Sequence, residues 1–196
     1  MTEHEVESEQ GLIYQDLLPL AWRTAERSPS PLEAIKLNGN NEELLRFIDI
    51  LDDRPNDTNN LEYPQLNQEL AKIEVKFELM LSLMSQLLNV YFPLPPPVQV
   101  RLSTTGAQWI SQDILETGGY GFMDVYLNLR CPRPLIFTGK IAHVEETTGG
   151  YRINVQFDEL SAAIRERLEK IIFRHHRRSV AQVRRRLVPE PGAPPA

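Results

Sequence analysis

The stretches Leu135-Ile-Phe-Thr-Gly-Lys-Ile-Ala-His-Val144 and Tyr151-Arg-Ile-Asn-Val-Gln-Phe157 decide the fold class. Apolar residues recur at every second position in both, which is the period of a half-buried strand. Three earlier segments have the same period: Val98-Gln-Val-Arg-Leu-Ser103, Ala107-Gln-Trp-Ile110 and Phe122-Met-Asp-Val-Tyr-Leu-Asn-Leu129. Turn-forming residues separate all five. With one more strand near Leu18, they predict a small six-stranded antiparallel β-barrel in an α+β protein.

Upstream of these strands, the sequence carries a heptad repeat without interruption. Steps of four and three residues connect Leu66, Leu70, Ile73, Phe77, Met80, Met84, Leu87 and Tyr91, which we call the seam. Phe92-Pro-Leu-Pro-Pro-Pro97 then ends the helix, because proline lacks the amide hydrogen that a helix needs. A helix of about 39 Å is longer than the core of a domain this size requires.

Two interpretations of this helix remain open. It is either buried within its own monomer or used for self-association. Further apolar residues widen its surface beyond a two-stranded seam, which favours a bundle of several helices from different copies. Such a wide apolar face allows both parallel and antiparallel bundles.

The region before the heptad helix is predicted to contain one strand and one short helix. Gly11 to Trp22 reads as a short edge strand, since Pro19 cannot donate a ladder hydrogen bond. Asn38-Gly-Asn-Asn41 reads as a turn. Asn40 with Glu43 resembles a capping box, followed by the apolar helix face of Leu44, Leu45, Ile48 and Leu51.

A final helix is predicted from Asp158 or Ser161 to about Leu187, with an inward face of Ile164, Leu168, Ile171, Ile172 and Val183. The chain has a formal charge of -6, yet residues 165–187 contain nine Arg or Lys and two Glu. This cluster could contact nucleic acid or anionic lipid. It could instead complement the helix dipole, the acidic remainder of the oligomer or a protein partner.

Features of catalytic and metal sites are missing from the sequence. There is no glycine-rich phosphate loop and no nucleophile elbow. The adjacent His175 and His176 would point about 100° apart on a helix and make a poor chelate. Cys131 is the only cysteine, and no apolar signal segment or span of about 18 residues occurs. We expect a cytoplasmic protein that is not an enzyme and holds neither a metal nor a cofactor.

The order of the strand motifs is similar to a known family. Leu102-Ser-Thr-Thr-Gly-Ala107, Val125-Tyr-Leu-Asn-Leu129, Gly139-Lys-Ile-Ala-His-Val144 and a helix ending Ile171-Ile-Phe-Arg-His-His-Arg177 together resemble a PilZ domain. The resemblance implies a six-stranded barrel that acts as a receptor or adaptor in bacterial cyclic di-GMP signalling. A barrel split by helices, one of them with heptads, resembles the atypical tetrameric PilZ subfamily. It implies a homotetramer.

The resemblance also implies where cyclic di-GMP would bind. The family uses an Arg-x-x-x-Arg pair just before the first strand and an Asp/Asn-x-Ser-x-x-Gly turn on the barrel. Ser103 and Gly106 match the turn, but Arg101 replaces its acidic or amide residue. Arg23 and Arg27 match the arginine pair as a string, but they follow the first strand. Structural roles are the alternative: Ser103 bonding the turn backbone, Gly106 at positive φ, and Arg23 and Arg27 in solvent.

These observations lead to one hypothesis with two alternatives. The predicted layout is a disordered lead at 1–10, a first barrel strand at 11–27, a helical insertion at 28–92 with its oligomerisation helix at 66–92, the remaining barrel at 93–160, a basic helix at 161–187 and a disordered tail at 188–196. The hypothesis is a self-assembling, non-catalytic PilZ adaptor that recognises proteins and binds cyclic di-GMP weakly or not at all. The alternatives are a true cyclic di-GMP receptor with a non-standard site, and a nucleic-acid or anionic-membrane binder.

Overall fold

The computed structural model describes residues 13–52, 64–128 and 133–187. The predicted lead at 1–10, the predicted tail at 188–196 and Cys131 lie outside the described residues. In chain order the elements are β1 (Tyr14–Thr24), α1 (Pro31–Asp52), α2 (Pro64–Tyr91), β2 (Pro97–Leu102), β3 (Gly106–Ser111), β4 (Tyr120–Val125), β5 (Leu135–Thr147), β6 (Gly150–Phe157) and α3 (Ala162–Leu187).

The six strands form a closed barrel in the order β1-β2-β3-β6-β5-β4, and all neighbouring pairs are antiparallel. The predicted fold class is confirmed. Strand ends differ from the alternation pattern: β4 stops at Val125 instead of reaching Leu129, and β5 continues past Val144 to Thr147.

β1 is a long inner strand, so the prediction of a short edge strand is wrong. Its first half pairs with β2 as far as Pro19, which lies opposite Pro97. From Leu20 onward it pairs with β4. Neither proline has an amide hydrogen, so the two can face each other where the first ladder ends without losing a hydrogen bond. The carbonyl of Pro19 is still used, because it accepts a hydrogen bond of 3.1 Å from the amide of Tyr126.

α1 begins nine residues before the predicted cap at Asn40, at Pro31. The capping box is formed by Ser30 and Glu33 instead. The amide of Ser30 donates to Glu33 Oε2 at 2.7 Å, and the amide of Glu33 donates to Ser30 Oγ at 3.4 Å. These bonds from Ser30, with one from Arg27, lower the pKa of Glu33 to about 2. The predicted turn at 38–41 is therefore wrong, because a stronger start signal lies upstream and carries the helix through it.

α3 begins where one of the two predicted caps places it. The hydroxyl of Ser161 accepts a hydrogen bond of 3.3 Å from the amide of Ile164. Four of the five predicted inward residues, Ile164, Leu168, Ile171 and Ile172, are buried in the same core as the barrel interior. The side chain of Val183 lies outside the described part of α3.

The core continues from the barrel into α1 and α3. It contains Tyr14, Leu18, Leu20, Val100, Leu102, Trp109, Met123, Val125, Leu135, Phe137, Ile141, Ile153, Val155 and Phe157 from the strands, and Leu44, Leu45 and Ile48 from α1. α2 contributes no residue to it. No helix in the described ranges is long and apolar enough to cross a membrane.

Asn41 attaches α1 to the barrel. It is the only buried polar side chain among the described residues, at 2% exposure. Its Nδ2 donates to the carbonyl of Ile136 at 2.7 Å, and its Oδ1 accepts from the amide of Ile136 at 2.9 Å. β6 ends at Phe157, opposite Gly139, so no strand reaches Ile136 from that side. Asn41 supplies the donor and the acceptor that a neighbouring strand would have offered.

Replacing Asn41 by alanine should destabilise the fold, because both backbone groups of Ile136 would lose their partner. Each unsatisfied group costs about 1–3 kcal/mol, so for two groups the free energy of unfolding should fall by about 2–6 kcal/mol. Urea unfolding at a fixed protomer concentration measures this change. Asn40→Ala, one residue earlier on the exposed side of α1, is the matched control and should change stability by less than about 0.5 kcal/mol. Equal effects of the two variants would contradict this role of Asn41.

Candidate functional site

A cleft of about 890 Å³ lies between the barrel and the first half of α3. Its barrel side is formed by the turn between β2 and β3 and by the neighbouring part of β6. Its helix side is formed by Glu166, Glu169, Lys170 and Phe173. Three of the predicted ligand residues, Arg101, Ser103 and Gly106, line this cleft. The structure therefore brings these three together.

The hydroxyl of Ser103 serves the turn on which it lies. It accepts hydrogen bonds from the amides of Thr105 at 3.3 Å and Gly106 at 3.1 Å. It is also 3.1 Å from the carbonyl of Gly106, to which it can donate. The same carbonyl accepts the amide of Ser103 at 2.9 Å. This network fixes the turn and leaves little of the hydroxyl for a ligand.

Gly106 is required for a different reason than the expected positive φ. Among the described glycines only Gly118 and Gly150 have positive φ. Gly106 instead begins β3 opposite Gln156 of β6. A Cβ at this position would lie 2.2 Å from the carbonyl oxygen of Val155, so the close approach of β6 excludes a side chain.

The charges along the cleft cancel. Arg101 is exposed on the barrel side, while α3 contributes one lysine and two glutamates. Lys170 Nζ lies 2.8 Å from Glu166 Oε1. This hydrogen bond and the nearby positive charge lower the pKa of Glu166, which stays ionised at neutral pH. Among the described residues that line the cleft, two cations are balanced by two anions, so these residues give no net attraction for a polyanion.

The barrel side of the cleft also carries amide groups, which sequence reasoning missed. Gln108 Nε2 donates to Asn154 Oδ1 at 2.8 Å across the β3–β6 ladder. Gln156 lies further along β6, and Ile13 and Phe173 add apolar contacts. Outward-facing polar residues alternate with the core residues of each strand. This alternation predicts that the amide side chains lie on the outer side of the sheet, but it does not predict that they lie close to α3.

Arg23 and Arg27 lie away from this cleft. Arg23 is opposite Phe122 near the end of β1, whereas Leu102 is opposite Tyr14 at its start. The nine-residue separation along β1 corresponds to roughly 30 Å of extended chain. The five predicted ligand residues therefore do not form one site.

Both arginines already bind carboxylates. Arg23 contacts Asp124 through two hydrogen bonds, Nε to Oδ2 at 3.0 Å and Nη2 to Oδ1 at 2.8 Å. This bidentate bond raises the pKa of Arg23. Arg27 donates to both carboxylate oxygens of Glu33, at 3.2 and 3.3 Å.

The two adjacent histidines of α3 have separate surroundings. His175 stacks on Tyr14 with ring centroids 3.9 Å apart, and its Nε2 lies 3.1 Å from Asp16 Oδ2. His176 is exposed on another side of the helix. No cluster of three or more potential metal ligands occurs within residues 13–52, 64–128 and 133–187.

The predicted oligomerisation residues all lie on α2, and all are exposed in the monomer. α2 has 28 residues and a length of about 42 Å. The eight seam side chains, Leu66, Leu70, Ile73, Phe77, Met80, Met84, Leu87 and Tyr91, are between 49% and 72% exposed. Leu79, Leu83, Leu88 and Val90 are exposed on other sides of the helix. Such a continuous apolar surface is typical of an interaction site.

Comparisons with known proteins agree with this architecture. The family described as "Atypical PilZ domain, cyclic di-GMP receptor" matches residues 45–185. A solved PilZ protein from Xanthomonas campestris, described as tetrameric and self-assembled through an unusual helical bundle, is 20% identical with a TM-score of 0.71. That match covers 89% of this chain and 92% of the other.

A second structural match is more limited. It is YcgR from Escherichia coli in complex with cyclic di-GMP, at 19% identity and a TM-score of 0.39, covering 45% of this chain and 39% of that one. No functionally curated protein matches the sequence significantly. The family match spans most of the chain and includes α2, strands β2 to β6 and nearly all of α3, while β1 lies before the matched residues. The chain belongs to the atypical PilZ domain family.

Proposed function

We propose that this protein is a non-catalytic, self-assembling PilZ adaptor of cytoplasmic cyclic di-GMP signalling, and that it binds cyclic di-GMP weakly or not at all through the usual motifs. The observation that carries the proposal is the separation of the arginines. Arg101 is the one arginine among the described residues that line the cleft, while Arg23 and Arg27 are bound to carboxylates near the opposite end of β1.

The chemistry of the ligand explains why this separation matters. Cyclic di-GMP presents two phosphates and two guanine edges, which arginine recognises through paired hydrogen bonds and stacking. To reach the ligand, Arg23 would have to leave Asp124 and lie far from its observed position. Within the cleft, Glu166 and Glu169 offset the attraction of Arg101 and Lys170 for phosphate.

Self-assembly is supported by α2. An isolated helix with apolar side chains on all sides is not stable in water, so its surface needs a partner. The chain around α2 offers none within the described residues, because α2 contributes nothing to the core. The similar Xanthomonas campestris protein is described as a tetramer formed through a helical bundle. We infer the same arrangement here, a homotetramer whose copies pack through the α2 seam.

A true receptor with a non-standard site is the second candidate. The shared position of Arg101, Ser103 and Gly106 in one cleft favours it. The ligand would then have to bind beside two glutamates and without the arginine pair. Direct titration distinguishes the two candidates.

Titration calorimetry with cyclic di-GMP in moderate salt should give no saturable heat, which corresponds to a Kd weaker than about 100 µM. Arg23→Ala should behave like the wild type, because Arg23 is remote from the cleft. The double variant Glu166→Gln with Glu169→Gln removes both anions, so the affinity should increase by about tenfold or more.

Glu26→Gln with Glu116→Gln is the control for this gain, because it removes two exposed charges that do not line the cleft. It should leave the titration unchanged. Micromolar binding by the wild type that is lost in Arg101→Ala would contradict the proposal and establish a receptor.

The tetramer is tested by placing charges in the seam. Phe77→Glu with Met84→Glu would bury four pairs of carboxylates in the bundle, at a cost that separates the copies. Light scattering should show the mass falling from about four times 22.5 kDa towards that of one chain.

Gln68→Glu with Gln86→Glu is the matched control, because it adds the same charge to exposed positions of α2 outside the seam. This variant should keep the mass of the wild type. An unchanged mass in the seam variant would disprove assembly through α2.

A further inference from the structure

A second open surface lies where α1 and α3 run side by side. Asp49 of α1 binds two arginines of α3: Arg167 Nη1 lies 3.3 Å from Asp49 Oδ2, and Arg174 forms an ion pair with Asp49 Oδ1. One carboxylate thus compensates one of two positive charges. The remaining positive charge stays at the junction of the two helices.

Next to this junction lies a groove of about 350 Å³, lined by Asp49, Ile50, Lys170, Phe173 and Arg174, which we call the α1–α3 groove. Its apolar residues are open to solvent, with Ile50 67% and Phe173 48% exposed. Phe47, one turn before Ile50 on the same side of α1, is exposed as well. Apolar residues from two helices thus form one exposed floor.

The rim of the groove is cationic on the α3 side. The guanidinium of Arg177 lies 5.8 Å above the ring centre of Phe173. From Arg174 onward to the end of α3 the sequence contains six arginines and no acidic residue. Lys170 is neutralised by Glu166, so the excess positive charge comes from the arginines.

This combination of an apolar floor and a cationic rim points to one class of ligand. A nucleic acid would need several aromatic faces for its bases, but Phe173 is the one aromatic residue among the described residues that line the groove, and residues 174–187 contain no Phe, Tyr or Trp. A polyanion would also leave Ile50 and Phe173 without apolar partners. An amphipathic protein segment with apolar side chains on one face and Asp or Glu on its flanks satisfies both parts of the groove.

We propose that the α1–α3 groove docks an acidic amphipathic helix of a partner protein. Two neighbouring helices offer the ridges against which a third helix packs, with anchors at positions i, i+3, i+4 and i+7. Apolar anchors contact Ile50 and Phe173, and acidic residues meet Arg174 and Arg177. The groove shares Lys170 and Phe173 with the cleft, whereas Asp49, Ile50 and Arg174 do not line the cleft. The proposal goes beyond the adaptor role because it names the surface and the chemistry of a protein partner.

Selection from a displayed library of 20-residue helical peptides tests this surface on the full chain. Peptides are kept if they bind the wild type but not the double variant Ile50→Asp with Phe173→Asp. The kept peptides should be rich in Asp and Glu beside apolar residues at helical spacing. A labelled consensus peptide should bind the double variant at least about tenfold more weakly than the wild type.

Two further variants make the result specific. Leu32→Asp with Ile35→Asp places the same charges on exposed apolar residues at the other end of α1, and should bind the consensus peptide like the wild type. Arg177→Glu keeps the apolar floor but reverses one rim charge. This variant should bind the acidic peptide more weakly than the wild type does, and should bind a peptide with Lys in place of Glu more tightly.

Four results would overturn the proposal. The first is that no peptides are kept, and the second is that the kept peptides are basic or uncharged. The third is that generic duplex DNA or anionic vesicles bind the wild type and that the double variant no longer binds them. This result would assign the groove to a polyanion. The fourth is a lower oligomer mass of the double variant with α2 intact, which would make the groove an interface between copies.

Discussion

The pairing of β1 on both of its sides is the constraint on which the rest of the structure depends. β1 precedes the helical insertion, yet it joins β2 through its first half and β4 through its second half. Closure leaves no strand at an outer edge of the sheet, although each half of β1 is paired on one side only. The helical insertion therefore begins after Thr24 at the end of β1, and the chain re-enters the barrel at Pro97, the first residue of β2, which lies opposite Pro19 in the middle of β1. Asn41 attaches α1 to the barrel, whereas α2 leads to β2 with its apolar side chains exposed within the described part of the chain.

The spacing of apolar residues predicted most of the fold because it follows directly from which side of each strand or helix is buried. In β5 and β6, apolar and polar residues alternate because one side of each strand faces the barrel core. In α2, apolar residues repeat in heptads, as expected of a helix that packs against other helices. The prediction for α1 was wrong because two signals competed. Asn38-Gly-Asn-Asn41 looks like a turn, but Ser30 and Glu33 start the helix earlier, and Asn41 uses its side chain on Ile136 of β5. A contact across 95 residues leaves no local pattern in the sequence.

Candidate-site residues could be predicted only where they are close in sequence. Arg101 near the end of β2, Ser103 in the following turn and Gly106 at the start of β3 lie within six residues, so their proximity follows from spacing. The glutamates of α3 enter the same cleft only because α3 packs across the barrel, and their effect on its charge required the structure. Arg23 matched a motif as a string, but its strand carries it to Asp124. Motif matching identifies residue types, while strand register decides where they meet.

The central claim is that α2 needs other copies of the chain to cover it. Hydrogen exchange of the full chain at two protomer concentrations tests it most directly, one at which light scattering reports the oligomer and one at which it reports the monomer. The account predicts that α2 amides are protected in the oligomer and exchange rapidly in the monomer, while the barrel amides stay protected in both. Equal protection of α2 at both concentrations, or rapid exchange of α2 in the oligomer, would contradict it.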